Sequence, residues 1–228
     1  ANPGTLTPEK LSIYRKYGIN RISIGLQSPN NKELAMLGRI HNYAQFLESF
    51  QMARAAGFSN INVDLMFAIP GQSYDGWIEN LQTVAALGPE HISAYSLIIE
   101  EGTPFFRKKL DLPDEDTEYR MYEDVAAVLK EYDYHQYEIS NYAKAGYECR
   151  HNEGYWQRKD YLGLGLGAAS LLGMERFSNT ADMQEYLKNS SAPEKIRKNR
   201  ELLTREDEMA EFMFLGLRMN EGVERTIG

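Results

Sequence analysis

The chain has 228 residues, 43% of them hydrophobic, and a formal charge of -8 from 33 acids against 25 bases. That length buries a substantial core and fits one large domain, or one domain and part of another. The acidic balance, without a long basic run, argues against a nucleic-acid surface and points to small or neutral partners. The sequence contains no apolar run of roughly 18 residues and no basic start leading into an apolar stretch, so a cytoplasmic location without a membrane span is expected. Cys149 is the single cysteine, which excludes an internal disulfide framework and a cysteine-only metal site within the chain. The opening on Ala1 and the close on "MNEGVERTIG" read as a piece of a longer protein.

Helical and strand periods alternate from the start. "EKLSIYRKYG" is amphipathic at helical spacing, and "INRISIGLQS" has the β-branched richness of a buried strand. A helix over about 43–56 carries Phe46, Leu47, Phe50 and Ala53 on one face, stops at Gly57 and leads into the strand "NINVDLMFAIPG". A further helix near 74–87 ends at Gly88-Pro89 before "HISAYSLII", and "DEDTEYRMYEDVAAVLKEY" precedes "HQYEIS". Four helix-preceded strands predict a parallel sheet covered by helices, as a doubly wound sheet or a (β/α) barrel. "GLGLGA" at 163–168 is a weak dinucleotide fingerprint, because it follows no clear strand and opens no amphipathic helix. The barrel is therefore the expectation, and its ligands belong at the C-terminal strand ends, near Gln27-Ser28, Asp64, Ile98–Glu101 and Glu138–Asn141. Later, "ADMQEYLKN" and "REDEMAEFMFLGLRM" read as helices with no strand between them. Residues 1–176 are thus expected to be barrel and 177–228 the start of a helical domain.

Asp64 lies between Val63 and Leu65, where an unpaired carboxylate costs about several kcal/mol. A structural hydrogen bond or ion pair with Arg21 or Arg39 and a ligand contact both satisfy it. Gln27 at a strand end and Arg39 in "LGRIH" carry the same two readings. "CRHNEGYWQRKDY", 149–161, reads as neither helix nor strand. Four histidines in the whole chain and one nearby thiol leave no local four-ligand zinc set around His151. One axial histidine suffices for haem, and Tyr155 and Trp156 offer flat faces to a porphyrin. Alternatively the two rings plug the barrel end while His151 bonds the backbone.

Taken together, "NPGTL", "GINRISIGLQS", "LGRIH", "INVDLMFAIPGQ", "HISAYSLIIEEGTPF", "YEISNYAKAG", "RHNEGYW" and "YLGLGLGAAS" closely resemble the oxygen-independent coproporphyrinogen III oxidase family of radical S-adenosylmethionine (SAM) enzymes, in order and over nearly the whole chain. The resemblance implies an incomplete (β/α) radical-SAM barrel followed by a helical domain. It implies SAM contacts at Gln27, Arg39 and Asp64. His151-Asn152, two free positions, then Tyr155-Trp156 resembles the haem-chaperone branch, which implies His151 as a ligand to haem iron with Tyr155 and Trp156 against the macrocycle. The implied function is delivery of haem to acceptor proteins; the alternative is oxidative decarboxylation of porphyrinogen propionates. The family's 4Fe-4S cluster needs three closely spaced cysteines that this sequence does not contain, so these residues alone are expected to be inactive.

Overall fold

The computed structural model describes residues 1–224. The chain divides into two compact units between Glu148 and Cys149.

The first unit opens with α1 (Pro8–Lys16), started by Thr7, whose side chain accepts from Lys10 N, with Pro8 in the first turn. It continues through β1 (Ile22–Gln27), α2 (Asn31–Met36), α3 (Tyr43–Ala55), β2 (Ile61–Phe67), α4 (Tyr74–Ala85), β3 (His91–Ser96), α5 (Glu115–Lys130), β4 (His135–Glu138) and β5 (Asn141–Ala143). Asn42 and Gln45 form a reciprocal capping box on α3, and Ser73 and Asp114 cap α4 and α5.

The sheet order is β1-β2-β3-β5-β4. β1, β2 and β3 are parallel neighbours, but β5 is inserted antiparallel between β3 and β4. The four expected strands, β1 to β4, run in the same direction; β5 is the unexpected antiparallel insertion, because the two-residue connection after Glu138 turns the chain straight back. The α/β class holds, as an open sheet under helices.

The first residues of β1, β2 and β3 alternate apolar with polar or small side chains. Ile22, Ile24, Leu26, Ile61, Val63, Leu65, Ile92 and Ala94 are buried in the core with Phe46, Trp77 and Met121 from the helices. The Trp77 indole donates to the Met121 carbonyl at 2.9 Å, so its polar edge is satisfied inside the core. The opposite face of the same strands carries Ser23, Gly25, Asn62, Asp64, His91 and Ser93, in register with one another.

The second unit contains α6 (Arg150–Trp156), β6 (Ala169–Leu172), β7 (Glu175–Asn179), α7 (Met183–Asn189), α8 (Pro193–Ile196), β8 (Arg197–Leu202) and α9 (Arg205–Gly216). β6, β7 and β8 form an antiparallel sheet, which corrects the expectation of helices alone after 177. It also places the expected 176/177 boundary inside β7. β8 is the charged run "RKNREL", which has no apolar alternation; its ladder and the Arg200–Glu175 pair at 2.6 Å hold it as a strand. The 163–168 glycine run is a loop rather than a phosphate cradle. A side chain at Gly163 would meet Ala169 O at 2.2 Å, and Asn179 Nδ2 donates to the carbonyls of Gly163 and Gly165 at 3.1 and 2.8 Å.

Candidate functional site

The polar face of the first unit's sheet is a continuous hydrogen-bond network. Asp64 accepts from Asn62 Nδ2 through Oδ1 at 2.6 Å and from Ser23 Oγ through Oδ2 at 3.0 Å. Asn62 Nδ2 also donates to Ser23 Oγ at 2.9 Å, so Asn62 Oδ1 is the acceptor that meets His91 Nδ1 at 2.5 Å. This makes Nδ1 the protonated nitrogen and leaves Nε2 to accept from the Tyr137 hydroxyl at 2.8 Å. Burial, and then the charge of Arg21, push the His91 pKa down to about 3. Ser93 Oγ donates to Asn141 Oδ1 at 2.6 Å, and Asn141 in turn donates to the buried Glu138.

Among the described residues no cation pairs with Asp64, neither Arg21 nor Arg39. A carboxylate with one short donor on each oxygen keeps acceptor capacity for hydroxyls or an amine.

Gly25 stands opposite Asp64 across the β1–β2 ladder. A Cβ there would lie 3.1 Å from Gln27 Nε2, 3.6 Å from Asn2 Oδ1 and 3.8 Å from Asp64 Oδ2. The missing side chain thus opens a cradle ringed by two amides and a carboxylate. Asn2 is placed there because Ala1 extends the ladder on β1's outer edge, donating to Ser23 O at 2.6 Å and accepting from Gly25 N at 3.0 Å.

Gln27 closes the strand at φ 73, with a register irregularity between Gly25 and Gln27. A non-glycine residue in this left-handed region stores strain of about 1–3 kcal/mol, which re-aims the amide. Its Oε1 accepts from the Tyr95 hydroxyl at 3.0 Å. Burial and the negative charge of Asp64 raise the Tyr95 pKa, while Gln27 and Arg39 work against that rise. Tyr95 therefore lies within electrostatic reach of all three expected SAM residues.

Arg39 sits on a segment fastened by His41, whose Nε2 donates to Leu26 O at 3.1 Å. Arg39, Met66, Leu97 and Phe105 line a groove of about 530 Å³ at the strand ends, a size suited to a small molecule. The structure thus brings Gln27 and Asp64 together around Gly25, with Arg39 at the adjoining groove. Asn2, Gly25 and Tyr95 were missed. The signal for Gly25 and Tyr95 was the period-2 run of polar and small residues along strands whose other face is apolar, Ser23-Gly25-Gln27, Asn62-Asp64 and His91-Ser93-Tyr95; Asn2 carried none.

In the second unit, "RHNEGYW" is helical, which corrects the irregular reading of that segment. The helix ends in a Schellman pair: Lys159 N donates to Gly154 O at 2.8 Å and Arg158 N to Tyr155 O at 3.0 Å. His151 and Tyr155 share a face, four residues apart, and their rings meet edge-on with centroids 4.7 Å apart; Tyr155 meets Tyr161 in the same way at 4.7 Å. The His151 ring is exposed. Trp156 points elsewhere, its ring covered by the Arg218 guanidinium at 4.3 Å, its buried Nε1 without a partner. The helix period separates the three aromatic candidates: His151 and Tyr155 act together, and Trp156 belongs to a different face.

The radical SAM superfamily profile matches residues 1–84. The chain is 39% identical over 99% of its length to the haem chaperone HemW of Bacillus subtilis, and 38% identical over 98% to HemW of Lactococcus lactis. It spans 60% and 59% of those proteins, respectively. In structure it is similar to the coproporphyrinogen III oxidase HemN of Escherichia coli, a radical SAM enzyme, with a TM-score of 0.81 over 96% of this chain and 54% of that one at 21% identity. The fold is that of a radical SAM domain. Residues 1–84 thus carry the radical SAM profile, and nearly the whole chain is similar in sequence to the HemW proteins. Radical SAM membership implies SAM and a 4Fe-4S cluster. No helix among the described residues is long and apolar enough to cross a membrane.

Proposed function

We propose that the full protein is a haem chaperone: its sheet end binds SAM, and the His151 face of α6 receives haem for delivery to acceptor proteins. The observation that carries the haem reading is the exposed His151 imidazole. It makes no hydrogen bond or ion pair among the described residues and is steadied edge-on by Tyr155. An exposed, unengaged imidazole suits an axial position on haem iron. The names carried by the relatives that match nearly the whole chain support the same reading.

For SAM, the cradle at Gly25 supports Gln27 and Asp64 as contacts to the amine and hydroxyls, with Arg39 set to pair a carboxylate. A four-iron cluster, when bound in the full protein, would supply the electron for sulfonium cleavage. Cys149, the single cysteine, is buried, and no radical step is assigned to these residues.

Full-length protein titrated with haemin tests the reading. We expect a saturable Soret shift that is lost in His151→Ala, and transfer of the bound haem to a haem-free acceptor. A Soret response identical in the two proteins would remove His151 from the function and leave porphyrinogen decarboxylation as the better account.

A further inference from the structure

The second unit holds a polar cluster that the haem reading does not use. Arg158 Nε donates to Glu211 Oε2 at 2.8 Å and Arg158 Nη1 to Glu208 Oε1 at 3.4 Å, while Arg176 Nη2 donates to Glu211 Oε1 at 2.5 Å. The Arg158 side chain is only 8% exposed, yet its buried Nη2 has no partner among the described residues. An orphaned donor on a buried cation costs about 1–3 kcal/mol or more, a cost that an acceptor entering from outside would relieve.

The backbone points the same way. Arg158 occupies the left-handed position that ends α6, at φ 52, where glycine is the low-cost residue. An arginine held there trades backbone strain for the placement of its fork.

Arg158 and Arg176 line a pocket of about 210 Å³ together with Tyr155, Tyr161, Glu211 and Phe214. That volume is below the usual range for a whole drug-sized ligand, about 300–1,000 Å³, but it admits a short acidic side arm. Tyr155 is shared with the His151 face.

We propose that this pocket is a carboxylate subsite, in which Arg158 Nη2, backed by Arg176, takes one acidic side arm of a tetrapyrrole whose iron faces His151. The identity of the carboxylate as a propionate rests on the haem reading above; the subsite itself rests on the orphaned guanidinium. Glu211 holds the two arginines apart and oriented. Burial alone would raise its pKa, but the hydrogen bonds from Arg176 and then Arg158 outweigh that and hold it below the usual glutamate value.

Full-length wild type, Arg158→Gln and His151→Ala are each titrated with metal-free protoporphyrin IX, its dimethyl ester and haemin. We expect R158Q to weaken the free acid about ten- to hundredfold, the worth of one charged hydrogen bond, and to leave the ester within about twofold. Equal loss for acid and ester, or no loss for either, overturns the subsite. If R158Q separates acid from ester while H151A leaves haemin untouched, the subsite stands and the axial-ligand reading falls. If wild type binds none of the three, both fall. Should R158Q not fold, Arg158→Lys keeps a cation for Glu211 while lacking the fork, and carries the same comparison of acid with ester.

Discussion

The two units handle buried polarity in opposite ways. The first unit gives its carboxylates Asp64 and Glu138 neutral partners, amides and hydroxyls, and Asn62 by itself contacts Asp64, Ser23 and His91. The second unit pairs charge with charge: Glu211 is clamped between Arg158 and Arg176, and among the described residues the donors on Trp156, Arg158 and Arg218 are buried without partners, against the donor on Arg21 and the acceptor on Asn60 in the first unit. A carboxylate held by neutral donors is fixed in place yet keeps acceptor capacity for a ligand that touches its edge. A network left open reserves bonds for a ligand that enters it.

The chain's two tryptophans make this contrast measurable, because Trp77 lies in the first unit and Trp156 in the second. With Trp77→Phe, fluorescence reports on the second unit; with Trp156→Phe, on the first. The largest expected effect is Glu211→Ala. Removing it leaves Arg158, whose side chain is 8% exposed, with only the 3.4 Å contact to Glu208, and such broken buried pairs cost about 3–5 kcal/mol. Urea unfolding followed through Trp156 should show that loss, with Trp77 unmoved. Equal destabilisation of both reporters would mean that the units do not respond separately.

Acid should discriminate next. His91 has a folded pKa of about 3 against 6.5 when free, so the unfolded chain binds the extra proton. Stability of the first unit is therefore full above pH 6.5 and is lost as pH falls from there toward 3, by about 2 kcal/mol between pH 7 and pH 5. Glu211 is depressed below its ordinary 4.5, so its contribution is lost only as pH falls below that value. Urea midpoints at pH 7 and pH 5 should thus shift for the Trp77 reporter and stay level for Trp156. A Trp77 midpoint flat over that range would show that His91 takes up its proton without unfolding.

The smallest effects on stability fall in the cradle. Gly25→Ala brings a methyl to 3.1 Å from Gln27 Nε2, a contact relieved by a shift of a few tenths of an ångström, and should cost less than about 1 kcal/mol. SAM affinity of the cluster-bearing full-length protein should nonetheless drop at least about tenfold by equilibrium dialysis, because the methyl fills the space that the carboxylate and amides face. Retained affinity would move the cofactor away from Gly25.

The helices and central strands were legible because capping residues and apolar periodicity agree at each one, as with Asn42 and Gln45 around α3. β5 and β8 were not, because three residues in one case and a charged run in the other carry no pattern, and only ladder partners define them. Asp64 and Gln27 stood out as polar residues in or beside apolar strands. Asn2 did not, since only the edge pairing of Ala1 brings it to the cradle. Arg158 was invisible for a related reason: its meaning lies in one unbonded nitrogen, which no residue pattern encodes.

The most direct test is the axial ligand itself. Magnetic circular dichroism of the ferric haem complex of the full-length protein should show nitrogen ligation in wild type and a change to thiolate character in His151→Cys. Identical spectra in the two proteins would contradict the assignment of haem to the His151 face of α6.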